Sequence, residues 1–212
     1  MRASVREGAY RTTVARSEEM ARSGKGAGKQ GQLRIIGGQW RGRKLSFTPA
    51  EGLRPTSDRV RETLFNWLAP YIQGARCADL FAGSGALGLE ALSRGACHCD
   101  FVDTSKTALA QIGRHLTTLG ATAAGQCHSS SALQFLQGTS EPYDLVFIDP
   151  PFGRELVDPT CTILAARKLL VAGALAYVET AATEPLPGTP IGWSPHRDKT
   201  AGGVTYRLFT VE

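Results

Sequence analysis

The chain has no apolar run approaching the roughly 20 residues needed to cross a membrane, and no apolar core of secretory type near its start. Cysteine is scarce. There are five in 212 residues, an odd number, which argues against a disulfide framework. Cys97 and Cys99 stand as C-x-C, not as the C-x-x-C of zinc and redox sites. Such usage suits a reducing compartment, and a cytoplasmic location is expected. Only four histidines occur, His98, His115, His128 and His196, and they are scattered; structural or surface roles are expected of them, and no metal site. No cysteine is placed like a nucleophile. What remains is a globular composition, 42% hydrophobic and 20% charged, long enough for one α/β domain with a real core.

Charge is present but lopsided. Of the net +5, residues 1–44 carry +8, from eleven Lys and Arg against Glu7, Glu18 and Glu19, leaving −3 for the rest. A basic arm on a neutral-to-acidic body points to a polyanionic partner. Residues 1–31 are rich in Arg, Ser, Gly and Ala with no apolar periodicity, and read as a disordered basic tail. Residues 32–74 read as a hairpin and a helix: strand-like 33–36, a turn at Gly37-Gly38, a second extended run over 40–47, and an amphipathic helix to about Ala69 carrying Val60, Leu64, Trp67 and Leu68.

From residue 75 onward the pattern alternates. Strands are expected over 77–81, 100–103, 145–148 and 174–178, with a closing extended segment over 203–211. Helices are expected over 86–94, 107–119, 133–136 and 157–170. Strands alternating with helices of this length make βαβ units and a parallel sheet, so residues 75–212 read as one catalytic α/β domain.

Between the first core strand and its helix, Gly83, Gly85 and Gly88 spell G-x-G-x-x-G. Glycines there let a ligand approach the backbone at the strand-to-helix turn. Asp79, at the start of this turn, bears on which ligand. A carboxylate repels a pyrophosphate but attracts the sulfonium and ammonium of S-adenosylmethionine; unit charges ~4 Å apart interact by roughly 4 kcal/mol at an effective dielectric near 20. The competing reading of Asp79 is a helix cap. Asp103 ends the next strand, where a carboxylate can accept both ribose hydroxyls of an adenosine.

Asp149-Pro150-Pro151-Phe152 follows the apolar run 145–148, at the strand end where open parallel sheets bind ligands. Two prolines fix φ, remove two donors and leave a stiff loop presenting oxygens. The Asp149 carboxylate and the Pro150 carbonyl can accept from one NH2 group. An aromatic amine is a poor nucleophile because its lone pair is delocalised into the ring; holding both N–H groups on acceptors turns that pair toward a methyl donor. Phe152 offers a face on which a flat base can stack.

These segments resemble the RsmD family of bacterial small-subunit ribosomal RNA guanine-N2 methyltransferases. The matching stretches are Leu33-Arg34-Ile35-Ile36-Gly37-Gly38 with Trp40-Arg41-Gly42-Arg43, Val60 to Leu68, Asp79 to Gly88, Asp149 to Phe152, and Ala201-Gly202-Gly203-Val204. The resemblance covers most of the chain outside residues 1–31. It implies a Rossmann-like seven-stranded sheet with its last strand antiparallel, S-adenosylmethionine as cofactor, and methyl transfer to guanine N2 in 16S ribosomal RNA, free or within a small-subunit particle, by a monomer that touches no membrane. On it, Asp79, Phe81, Gly83, Gly85, Asp103 and Ser131 are assigned to the cofactor, and Asp149, Pro150, Pro151 and Phe152 to the reaction. The chain departs from the family pattern at Ser131, which stands where an acid often faces the adenine amino group, and at Asp103, where Glu is common.

Arg34, Arg41, Arg43 and Lys44, with Trp40 among them, are expected to form an RNA-gripping hairpin beside the reacting edge, which Arg54, Arg59 and Arg61 extend onto the first helix. Three other functions remain open on the residues alone. An NAD-dependent oxidoreductase explains the glycines and Asp103 but not Asp79 or the D-P-P-F loop. An adenine-N6 methyltransferase shares all the core chemistry. A non-enzymatic RNA-binding protein explains the basic arm but needs no donor pocket.

Overall fold

The alternating pattern resolves into a seven-stranded sheet in a computed structural model that describes residues 31–48, 57–185 and 187–212. Gly31 to Glu212 form one unit. The strands are β3 (Arg76–Asp79), β4 (His98–Asp103), β5 (Gly125–Ser129), β6 (Tyr143–Ile148), β7 (Leu170–Ala181), β8 (Trp193–Ala201) and β9 (Val204–Val211). They lie in the order β5-β4-β3-β6-β7-β9-β8. β3 to β7 are parallel, and β9 inserts antiparallel between β7 and β8.

Burial on both faces explains the composition of the parallel strands. In β6, Leu145 and Phe147 enter one core with Phe101 and Tyr177, while Val146 and Ile148 enter another with Val102 and Val178. Helices α2 (Ala86–Ser93), α3 (Lys106–Thr118), α4 (Ala132–Gly138) and α5 (Val157–Ala166) connect the strands. The chain leaves β3 one way toward β4 and β5, and the other way toward β6 and β7. The carboxyl end of β3 is therefore the point where strand order reverses, which is where such sheets hold ligands. Among the described residues no helix is long and apolar enough to cross a membrane.

Helix α1 (Asp58–Leu68) starts at Ser57, whose hydroxyl accepts from the Val60 amide. Its buried face, Val60, Leu64, Phe65 and Leu68, joins the core on one face of the sheet, with Phe65 against Phe147 and Trp67 against Tyr206. Before it, β1 (Gly31–Arg34) and β2 (Lys44–Phe47) pair antiparallel.

The extended run expected over 40–47 is interrupted. Gly38–Trp40 form a 3-10 turn, and β2 starts only at Lys44. The strand expected over 33–36 likewise ends at Arg34, because the Ile36 and Gly37 amides leave the ladder for the carboxylate of Glu90, each at 2.8 Å. The helix expected over 157–170 stops at Ala166. Lys168 turns the chain at φ +53, and β7 begins two residues later.

The position of the hairpin is a correction. Ser93 donates to the Gly37 carbonyl and accepts from the Trp40 amide, so the hairpin turn docks on the carboxyl end of α2, away from the glycine loop at its other end. The turn is thus not beside the reacting edge. Arg61 is corrected too. It is 1% exposed, donating to the Arg34 carbonyl at 3.0 Å and to Asp58 at 2.6 Å, with Glu90 3.6 Å away, so it holds the fold together and presents nothing to a phosphate. The expected tail over 1–31, save Gly31 itself, lies outside the described residues, as does Arg54.

Candidate active site

The carboxyl ends of the parallel strands bring the expected cofactor residues to one edge. Asp79, the last residue of β3, is 2% exposed and accepts from the Gly88 amide at 3.0 Å. It therefore does cap the first turn of α2, where the positive end of the helix favours a carboxylate. Burial still outweighs that bond, and with the nearby Asp103 carboxylate it pushes the Asp79 pKa up to about 7. A buried acid in that condition favours a cation beside it.

Gly85 sits at φ +78 before α2, a conformation L side chains rarely adopt. Gly88 has a different task. A Cβ there would lie 2.3 Å from the Phe101 ring, so the third glycine lets α2 pack closely on β4. Asp103 accepts from Gly83 at 2.8 Å through one oxygen and from Ser105 at 2.7 Å through the other. A carboxylate has about four lone-pair directions, so two remain for ribose hydroxyls. Phe81 is half-buried against the core beneath. Ser131 follows β5 on the same edge, but its hydroxyl accepts the Gln134 amide in a capping box that starts α4.

On the other side of the switch point, β6 delivers Asp149 and Pro150 one strand away from the glycine loop. Pro150 is buried, Pro151 is exposed, and Phe152 stands 37% exposed, with a face free of the core. Glu184 holds the loop in place, accepting from the Gly153 amide at 2.7 Å and the Ala181 amide at 3.0 Å. This ties the D-P-P-F segment to the end of β7.

The family described as "Conserved hypothetical protein 95" matches residues 33–210. The ribosomal RNA small subunit methyltransferase D of Escherichia coli (strain K12) is 51% identical over 182 residues, covering 86% of this chain and 91% of that protein. The protein of the same name from Haemophilus influenzae is 47% identical over 183 residues, covering 85% and 94%. This chain belongs to the RsmD family. The solved structure of yhhF from Escherichia coli, 50% identical, superposes with a TM-score of 0.80 over 86% of this chain and 99% of that one. The fold is the Rossmann-like sheet of S-adenosylmethionine-dependent methyltransferases.

Two buried groups of this RsmD chain escaped the sequence reading. Glu179, 5% exposed near the end of β7, accepts from the Tyr177 hydroxyl at 2.6 Å. Burial, then the carboxylates of Glu179 and Asp149, push the Tyr177 phenol well above its ordinary range. The only sequence signal was a lone acid ending an apolar strand.

Each of the four histidines has a partner elsewhere in the fold. His98 and His128 bond Asp100, His115 bonds the Ser46 carbonyl, and His196 meets the Tyr71 ring edge-on. Among the expected RNA contacts, Arg41, Arg43, Lys44 and Arg59 are exposed, Arg34 is exposed but paired with Asp58 at 3.0 Å, and Trp40 is half-buried against the core.

Proposed function

We infer that this chain transfers a methyl group from S-adenosylmethionine to the exocyclic N2 amine of a guanine in small-subunit (16S) ribosomal RNA. The observation that carries the reading is the meeting of two half-sites at the strand-order reversal. A glycine turn flanked by Asp79 and Asp103 lies on one side, and the Asp149-Pro150-Pro151-Phe152 loop on the next strand. The relatives' names, at 51% and 47% identity across most of both chains, support ribosomal RNA of the small subunit as the substrate. The family resemblance supports guanine N2.

The residues fit the cofactor. Asp103 keeps acceptor directions for the ribose, the glycine turn admits close approach, and buried Asp79 suits a cationic neighbour. S-adenosylmethionine, when bound, supplies an electrophilic methyl group on a sulfonium sulfur. The chain's own part is positioning, which can supply much of the rate. Asp149 and the Pro150 carbonyl accept the two N–H groups of the amine and turn its lone pair toward the donor, while Phe152 stacks on the base. Asp149 need not act as a strong base. The proton leaves after transfer, once the nitrogen is cationic. No covalent enzyme intermediate is required. Arg41, Arg43 and Lys44 would touch RNA at a distance from the reacting amine, as phosphate contacts that position without reading sequence.

Mass spectrometry of 16S ribosomal RNA from cells with and without the gene tests the reading. One N2-methylguanosine should vanish with the gene. Loss of an N6-methyladenosine instead would overturn the guanine assignment, and an unchanged modification map would overturn the activity.

A further inference from the structure

Methyl transfer to an exocyclic amine leaves one matter open: what tells guanine from any other purine carrying an amine at that position. The atom beside N2 on the same edge of guanine is N1, which carries a hydrogen. In 2,6-diaminopurine the N2 amine is identical, but N1 has a lone pair and no hydrogen. An enzyme that checks N1 must place an acceptor beside the groups that hold N2.

Such an acceptor is present. β6 and β7 are parallel, with Phe147 opposite Tyr177 and Ile148 opposite Val178, so the next residues, Asp149 and Glu179, are neighbours across the strand pair. Neighbouring strands are about 4.8 Å apart, within reach of two acceptors serving one edge of one base. Tyr177 and Phe147 share one face of the sheet, and the Tyr177 hydroxyl fixes the Glu179 carboxylate on that face with its 2.6 Å bond. An ionised carboxylate accepts and cannot donate, so it welcomes N1–H and opposes an N1 lone pair.

We propose that Glu179 is a specificity-determining residue that accepts the N1–H of the target guanine while Asp149 and Pro150 hold its N2 amine. This rests on the guanine-N2 reading above. Tyr177 acts through Glu179, as the group that aims it. Recognition along the Watson–Crick edge of an extruded base is the mode expected of an enzyme that works on a base taken out of its stack.

The test uses small subunits reconstituted with 16S ribosomal RNA in which the mapped target guanosine is kept or replaced by 2,6-diaminopurine. Methyl transfer to each is followed with labelled S-adenosylmethionine. The unmodified enzyme should favour guanine by about a hundredfold or more in kcat/KM, because a site built to bond a substrate N–H rejects an analogue lacking it. Glu179→Gln offers an acceptor and a donor in place of two acceptors. It should lose activity on guanine, hold or gain on diaminopurine, and compress the ratio by about tenfold or more.

Cofactor binding by calorimetry should not change in Glu179→Gln. Equal losses on both bases would make Glu179 a structural residue and overturn the proposal, as would an unchanged ratio. Should Glu179→Gln not fold, the unmodified enzyme decides alone: equal rates on the two bases overturn the proposal while leaving the N2 reading intact. No transfer to the guanine-bearing subunit would overturn that reading, and the proposal with it.

Discussion

The carboxylate of Asp103 accepts the amide hydrogen of Gly83 at 2.8 Å, tying the acid at the end of β4 to the glycine turn after β3. A ribose contact at Asp103, as proposed, would therefore be linked to the shape of the glycine turn, and a change at Asp103 should reach both.

Asp103→Ala should consequently weaken S-adenosylmethionine binding by more than a single neutral hydrogen bond. Charge-assisted contacts contribute about 1.5–3 kcal/mol, so the dissociation constant should rise on the order of ten- to a hundredfold. Isothermal calorimetry on the folded variant checks this. Unchanged affinity would remove Asp103 from the cofactor site.

If Asp79 faces the cofactor as proposed, cofactor binding should depend on pH. Its carboxyl titrates near 7 in the fold against an ordinary 3.8, so the folded chain holds a proton that the unfolded chain has released. The stability it contributes is fully present below pH 3.8 and is lost as pH rises through about 7. A cation beside Asp79 favours the charged form, so binding should expel the proton and tighten as pH rises toward 7, then level off. Calorimetry in two buffers of different ionisation enthalpy should register that release below pH 7. Asp79→Asn should abolish it. An affinity flat from about pH 5 to about pH 8 would show that the cation lies elsewhere.

The placement of the strand-end residues was legible in the sequence because few residue types suit the chemistry expected there. A turn that admits a ligand needs glycine, a ribose needs an acid at the next strand end, and an amine-gripping loop needs rigid oxygens. Residues 79–88, 103 and 149–152 do meet at one edge. Tertiary burial was not legible. Arg61 reads as one more basic residue on a helix, and nothing local reveals that Glu90, on the wholly buried α2, will claim the Ile36 and Gly37 amides and face Arg61 and Arg94. β8 was missed for a related reason. It is an edge strand exposed over most of its length, it contains Pro195, and it shows no alternation to read.

The same contrast separates two groups of arginines by experiment. Arg61→Leu should destabilise the fold by about 3–5 kcal/mol, as breaking a buried pair does, in denaturant titrations. It should leave the salt dependence of RNA binding unchanged. Removing exposed Arg41 and Arg43 together should do the opposite, preserving stability and flattening the salt slope by up to about two units. If the double variant keeps the full slope, the hairpin turn has no part in RNA binding.

Asp149 is the group proposed to orient the amine. Its most direct test measures two quantities on one folded Asp149→Ala protein: methyl transfer to small subunits purified from cells lacking the gene, and calorimetric affinity for S-adenosylmethionine. Transfer should fall by at least about a hundredfold while affinity stays at the parent value, because Asp149 acts only once the amine has arrived. Transfer within about tenfold of the parent would contradict the account.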